Sequence, residues 1–356
     1  MIYLFIHQNF PGQYKHLVRH LSQDPANRVY FISQPNANWM PGVTRLVYYP
    51  DLSSPLRCHA YSIDFELAVR HGTAVADTLR MMKAQGVTPD IIIGHSGWGE
   101  TLCVKDVFPD VPLLAYFEFF YHATGVDTDF DPEFPSPDAD GGRLRMRNAV
   151  NLLSHASADW GHTPTRWQQS LYPAEMRPRI SVLHEGIDTD LVRPDANACF
   201  RLPGEGLTLT AADEVITYVA RNLEPYRGFH ITLRAIAEIQ RRRPKARFVI
   251  VGGDDVSYGG PPPEGTTYRQ KVLTELDGRL DLSRIHFTGQ LPYRDYLNLL
   301  QISAAHIYLT YPFVLSWSLL EAMAAGCAVI GSATPPVEEV IRHGENGILV
   351  DFFSPS

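Results

Sequence analysis

The sequence predicts an α/β protein of two doubly wound, parallel-sheet domains facing a central cleft. Three observations carry this. Short, continuously apolar runs alternate with longer segments of helical periodicity, the pattern of parallel strands covered on both faces. The alternation halts at Glu185-Gly186-Ile187-Asp188 and restarts at Val215. The length of 356 residues also suits two domains.

The first domain is read as residues 1–185. Ile2 to Ile6 is a strand, followed by the loop His7-Gln8-Asn9-Phe10-Pro11-Gly12-Gln13 and a helix to about Gln23. Strands follow at Val29 to Ser33 and Val43 to Tyr49. A long helix runs from Ser62, a candidate N-cap, to Gln85, with Phe65, Val69, Gly72, Val75, Leu79 and Met82 on one face. Asp90 to Gly94 is a strand, Glu100 to Val107 a helix, and Pro112 to Phe119 a strand. A polar, proline-rich loop at about 123–140 precedes a helix near Gly142 to Ser154 and a strand at Ala158 to His162. A helix at Pro164 to Tyr172 and a strand at Ile180 to Leu183 complete the set.

The second domain is read as residues 186–356. Strands are expected at Val215 to Ala220, Phe248 to Val251, Ile285 to Thr288, Ala304 to Thr310, Cys327 to Ser332 and Gly347 to Phe352. Helices lie between them at Phe229 to Arg243, Tyr268 to Leu280, Tyr293 to Gln301, Ser316 to Ala325 and Pro336 to His343. Ligands are expected where strand carboxyl ends meet the cleft.

Composition narrows the partners. A net charge of −8 argues against nucleic acid as the main ligand. No apolar run approaches 18 residues, so no transmembrane helix is expected. The N-terminus lacks a basic leader and reads as a strand, not a signal peptide. Cys58, Cys103, Cys199 and Cys327 lack metal or redox spacing and read as reduced thiols in or near the core. These features fit a cytoplasmic protein, compatible with peripheral membrane contact.

Between Tyr296 and Val337 the only formally charged side chain is Glu321, surrounded by Leu319, Leu320, Met323 and alanines. A carboxylate in such a place needs a partner, either a structural one or the hydroxyls of a ligand. The N-terminus of its own helix offers free N–H groups and a positive dipole end to phosphate. Arg221 follows one strand, and Arg227 precedes Gly228 at the next helix start. Two guanidiniums there can clamp a diphosphate without a metal, although a solvated loop would show the same residues.

Glu321-Ala322-Met323-Ala324-Ala325-Gly326 resembles the second half of the donor-binding signature of glycosyltransferase family 4, the retaining transferases of the GT-B fold. The signature's first Glu would fall at Phe313, where this sequence departs from the family. Pro336 to Ile341 and Gly344 to Val350 are similar to the family's tail, and Glu185 to Asp188 to its domain junction. The family usually continues with further C-terminal helices, which this sequence lacks.

The resemblance implies a nucleotide-diphosphate sugar as co-substrate, a carbohydrate or lipid-linked acceptor, and no metal or other cofactor. It implies Arg221 and Arg227 at the diphosphate, Glu321 at the ribose, and the backbone of Leu315, Ser316 and Trp317 around the phosphates. Gly289, Gln290 and Leu291 would read the base, Gly253 would mark a phosphate-type turn, and Phe313 would stack on the sugar. In the first domain, Gly12 would border the donor, and Glu118, His122 and His95 are candidates near the reacting sugar. Asp127-Thr128-Asp129-Phe130-Asp131 could imitate a metal-binding Asp-x-Asp, but in a proline-rich loop it reads as a surface acidic segment. The alternatives are a nucleotide-sugar epimerase on the same scaffold, or a non-catalytic nucleotide-sugar or glycan-binding module.

Overall fold

Two parallel sheets of β-branched and aromatic residues organise the chain. A computed structural model describes residues 1–135, 141–262 and 265–354; the end of the loop read at 123–140 lies outside the described residues. By contacts the chain divides into one unit of Met1–Ala123 with Asp140–Gly186 and another of Thr124–Ala139 with Ile187–Ser356. The junction falls one residue beyond the expected one. The proline-rich loop, assigned above to the first domain, groups with the second.

In the first unit the chain runs β1 (Ile2–Ile6), α1 (Lys15–Ser22), β2 (Arg28–Ser33), β3 (Val43–Val47), α2 (Ile63–Ala84) and β4 (Ile91–His95). It continues through α3 (Val104–Val107), β5 (Leu113–Tyr116), α4 (Gly141–Arg147), α5 (Ala149–Ser157), β6 (Trp160–Thr163), α6 (Arg166–Leu171) and β7 (Ile180–Val182). The sheet order is β3-β2-β1-β4-β5-β6-β7, with parallel pairing throughout. Three expectations change here. Ser62 makes no capping hydrogen bond to α2. The helix expected from Glu100 begins only at Val104, because the fully buried Glu100 accepts from the Tyr48 hydroxyl at 2.8 Å instead of opening a helix. The helix expected over 142–154 breaks between α4 and α5 at Asn148, whose amide is taken by the Tyr121 backbone (2.8 and 2.9 Å).

The second unit opens with a hairpin absent from the expectations, β8 (Cys199–Arg201) and β9 (Thr208–Thr210), paired antiparallel. Then come β10 (Val215–Asn222), α7 (Phe229–Arg242), β11 (Arg247–Gly253), α8 (Tyr268–Glu275), β12 (Ile285–Gly289) and α9 (Tyr293–Gln301). They are followed by β13 (Ala305–Tyr308), α10 (Trp317–Ala324), β14 (Val329–Ser332), α11 (Pro335–Glu338) and β15 (Ile348–Val350). The order β12-β11-β10-β13-β14-β15 is again all parallel. Of the cysteines, Cys327 is buried, while Cys58 and Cys199 are exposed, Cys58 in a loop and Cys199 on the hairpin. Among the described residues no helix is long and apolar enough to cross a membrane.

Each sheet reverses its winding once, between β1 and β4 in the first unit and between β10 and β13 in the second. At such a switch point the connections leave in opposite directions and open a crevice at the strand carboxyl ends. These two crevices position the residues below.

Candidate functional site

In the second unit the crevice is framed by the segments leaving β10 and β13. Arg221 lies exposed near the end of β10, whereas Arg227 is buried. The Arg227 Nη1 donates to Thr310 Oγ1 at 2.8 Å and to the Tyr308 hydroxyl at 3.3 Å. That same hydroxyl accepts the backbone N–H of Ser316, the N-cap of α10, at 2.8 Å. One oxygen therefore joins the guanidinium of the β10 segment to the start of α10. Gly228 makes this approach possible: its φ is +66°, and a Cβ there would lie 2.4 Å from the Leu309 Cβ.

Aromatic rings surround the guanidinium. The Arg227 Cζ lies 5.1 Å from the Tyr258 ring centre and 5.8 Å from that of Phe313, within cation–π range. Tyr258 also lies 5.9 Å from the Arg221 Cζ. Phe313 packs against Tyr258 at 5.1 Å and Tyr226 at 5.3 Å. Phe313 thus stands beside Arg227, in a ring cluster where the family signature has a carboxylate.

Glu321 is buried one turn into α10 and accepts from the hydroxyls of Tyr293 (2.6 Å) and Tyr296 (2.8 Å) on α9. Burial and the Glu321 charge push the Tyr296 hydroxyl well above its ordinary pKa, so it stays a donor. Gly289 closes β12, and Gln290 and Leu291 lead into α9, so the expected base-reading turn lies just before the helix that holds Glu321. Leu315 is buried, Ser316 caps α10 through its Oγ to the Ser318 N–H (3.3 Å), and Trp317 begins the helix. Gly253 ends β11 so close to Asn222 that a Cβ would meet its Oδ1 at 2.6 Å.

The first unit gathers a second polar group at its own switch point. His7 follows β1 and His95 ends β4; their rings lie 5.0 Å apart, both buried. Gln13 bridges the His7 Nε2 (2.6 Å) to the Glu118 carboxylate (2.9 Å), and His95 Nε2 lies 3.5 Å from the other Glu118 oxygen. Burial, with His95 beside it, lowers the His7 pKa to about 3, so this imidazole is neutral. Burial alone would raise Glu118, but His95 foremost, together with Gln13, outweighs it and holds the carboxyl below its usual range. Gly12 takes φ +52° against the His7 ring, where a Cβ would sit 2.7 Å from Cε1. His122 stands outside this group: its Nε2 donates to the Leu171 carbonyl at 2.9 Å, a structural tie.

The acidic segment at 127–131 is not a surface loop. Asp127 and Asp131 are buried against the second unit. Asp127 accepts from the Tyr226 hydroxyl at 2.5 Å and Asp131 from the Tyr311 hydroxyl at 2.7 Å, with the His230 Nε2 at 3.1 Å. Phe130 packs on Tyr311 and Phe352, both 5.1 Å away. Apolar and tyrosine partners, supplied from more than 90 residues away, bury what composition alone marks as solvated. Among the described residues no cluster of His, Cys, Asp and Glu has a metal-holding arrangement.

Two family models match this chain: the glycosyl transferase family 4 group over residues 25–192 and glycosyl transferases group 1 over residues 208–356. The chain belongs with the family 4-like glycosyltransferases. Its relatives include the D-inositol 3-phosphate glycosyltransferases of Corynebacterium glutamicum (25% identity) and Corynebacterium efficiens (29% identity). Each match covers 82% of this chain, and 67% and 66% of the respective relative. Among solved structures, the Anabaena HepE protein in complex with UDP-glucose shares 16% identity, with a TM-score of 0.62 over 99% of this chain and 85% of that one. Sucrose-phosphate synthase from Thermosynechococcus elongatus also shares 16% identity, with a TM-score of 0.70 over 100% and 87% of the two chains. At such identity these likenesses establish the GT-B fold.

For a family 4-like glycosyltransferase, the residues that sequence reasoning passed over are instructive. Tyr308, Thr310 and Tyr258 surround Arg227, yet each reads locally as an ordinary strand or loop residue. Glu224 is wholly buried and binds three backbone N–H groups, at Ser257 (3.1 Å), Tyr258 (3.2 Å) and Gly259 (3.0 Å). A signal for it existed: an acid between Leu223 and Pro225, just after an apolar strand, has few ways to be solvated.

Proposed function

We propose that this glycosyltransferase moves a sugar from a nucleotide-diphosphate sugar to an acceptor hydroxyl, with retention of anomeric configuration and without a metal ion. The observation that carries the donor half is the Tyr308 hydroxyl, shared by Arg227 and the Ser316 N–H. A cation and a helix start held that close offer one anion two complementary partners. In this reading the diphosphate lies against Arg221, Arg227 and the N–H groups at Leu315, Ser316 and Trp317. These preorganised donors stabilise the charge that grows on the leaving diphosphate through an oxocarbenium-like transition state. Glu321 takes the ribose hydroxyls, and main-chain groups of Gly289, Gln290 and Leu291 read the base. In the first unit, the ionised Glu118, backed by Gln13 and the neutral His7, is the group we assign to a sugar or acceptor hydroxyl. The UDP-glucose carried by HepE supports a nucleotide-sugar donor, and the inositol-phosphate relatives support a hydroxyl acceptor.

Thermal-shift screening against UDP-, GDP-, ADP- and dTDP-sugars identifies the donor. Transfer from it is then followed with and without a chelator, and the product's anomeric configuration is read by NMR. Stabilisation by one nucleotide class, transfer that survives chelation, and a retained anomer are expected. Loss of activity on chelation, restored by a divalent ion, would overturn the metal-independent part. Arg221→Ala is expected to cut turnover roughly 100-fold, the scale of losing one preorganised donor. Unchanged turnover at saturating donor would remove Arg221 from the mechanism.

Phe313 favours a second reading, a donor-binding module without transfer, because it removes the carboxylate that the signature places there. Donor binding with neither hydrolysis nor transfer across a broad acceptor panel would select that reading.

A further inference from the structure

We infer that Glu224 is a positioning residue of the donor site: it fixes the loop at 257–259 so that Tyr258 covers both arginines. The inference rests on the reading that Arg221 and Arg227 bind the donor diphosphate.

Glu224 sits just before the turn that presents Arg227 and is fully buried. Its carboxylate receives three consecutive backbone N–H groups, from Ser257, Tyr258 and Gly259, at 3.0–3.2 Å. Successive N–H groups converging on one anion form a nest, an arrangement that fixes a loop's backbone conformation. Two further ties run the same way: Asn222 Nδ2 donates to Ser257 Oγ at 2.8 Å, and the Leu223 N–H to the Gly253 carbonyl at 2.8 Å. The loop is therefore bound to the segment that carries the arginines.

What the clamp presents is the ring of Tyr258. That ring touches Arg221, Arg227, Phe313 and Tyr226, with centres 5.1–6.0 Å away. Arg227 is tied to the Tyr308 and Thr310 hydroxyls and lies within cation–π range of two rings, so its head is confined before any ligand arrives. Confinement of a charged donor in its binding geometry reduces what association must order. Releasing the loop frees the ring and takes its cover away from both guanidiniums. Glu224 itself touches neither phosphate nor sugar in this scheme.

The test is a double-mutant cycle on the full chain. Binding of UDP-, GDP-, ADP- and dTDP-glucose is titrated calorimetrically to Glu224→Gln, Tyr258→Ala, the double variant and Tyr258→Phe, with melting temperatures recorded alongside. Glu224→Gln puts an amide NH2 among N–H donors and is expected to raise Kd about 10- to 100-fold, the scale of losing charge-assisted hydrogen bonds. Tyr258→Ala is expected to raise it similarly, and the double variant no further than either single, because both act through one ring. Tyr258→Phe keeps the ring but gives up the hydroxyl's tie to Arg227, and is expected to raise Kd less than Tyr258→Ala does.

Additive losses in the double variant would overturn the inference, as would a lowered melting temperature with unchanged Kd in Glu224→Gln. Should Glu224→Gln fail to fold, Tyr258→Ala still decides: unchanged binding there refutes the role. Arg227→Ala separates the two levels. If it abolishes binding while the Glu224 and Tyr258 variants bind normally, only this inference fails. If it too binds normally, the donor reading falls and this inference with it.

Discussion

Removing the Asp131 carboxylate separates a docked strap from a surface loop. Its Oδ2 accepts from the buried Tyr311 hydroxyl at 2.7 Å and lies 3.1 Å from His230 Nε2, with the Asp131 and His230 side chains only 2% and 1% exposed. In Asp131→Ala the Tyr311 hydroxyl is left buried without this acceptor, which costs about 1–3 kcal/mol. The His230 imidazole also loses a neighbour 3.1 Å away, so we take the upper end of that range, about 3 kcal/mol. For a unit of this size, 1 kcal/mol moves Tm by roughly 2–4 °C, so a fall of about 6–12 °C in the second unit's transition is expected. Burial would raise the Asp131 pKa, but His230 and Tyr311 outweigh it and hold it below 3.8. A group depressed in this way contributes fully above the unfolded value and loses its contribution as pH falls, so the comparison belongs at pH 7. Differential scanning calorimetry reads the shift, and Asp131→Asn, which keeps an acceptor for Tyr311, is expected to recover part of it. A change within 1–2 °C of the parent would refute the docking and restore the surface-loop reading.

Acid should weaken the fold earlier than its carboxylates alone would require. Burial lowers His162 and His306 to about 4, and burial with the neighbouring His95 lowers His7 to about 3, from an ordinary 6.5. The unfolded chain takes up these protons first, so their contribution is whole above pH 6.5 and is lost progressively as pH falls towards 4. The slope is up to about 1.4 kcal/mol per pH unit for each histidine; a melting temperature flat between pH 7 and 5 would contradict it. Gly12→Ala forces a Cβ to 2.7 Å from the His7 ring at a positive φ. We expect a loss of about 1–3 kcal/mol in chemical denaturation, and an unchanged midpoint would show that the His7 ring moves freely. Glu321→Gln retains the shape and hydrogen-bonding reach but loses the charge. Donor Kd should rise about tenfold or more while Tm changes little, and the reverse pattern would make Glu321 a purely structural carboxylate.

Much of the fold was legible because parallel strands buried on both faces leave a continuous apolar signature. Tyr293–Gln301 was read to the residue, and β1 likewise, since their boundaries coincide with a proline or a loop of polar residues. The hairpin of β8 and β9 was missed: Cys199–Arg201 and Thr208–Thr210 are each too short to show a period. In the site, Glu321 stood out because nothing around it was polar, and Arg221 and Arg227 because they flank a turn before a glycine. The strap at 124–135 misled, because Asp, Pro and Thr read as solvent-facing until Tyr226, Tyr311 and Arg234 come from far along the chain to meet them. Arg227 shows the same limit: an arginine in a turn is expected in water, and only the hydroxyls of Tyr308 and Thr310 allow it to be buried.

The central claim is that Arg221, Arg227, the start of α10 and Glu321 grip one donor nucleotide. An experimental structure of the full chain with UDP or its best-binding nucleotide tests this most directly. Phosphate oxygens are expected within hydrogen-bonding reach of Arg227 and the Ser316 N–H, and ribose hydroxyls on Glu321. A nucleotide seated elsewhere, with Arg227 and Glu321 untouched, would contradict it.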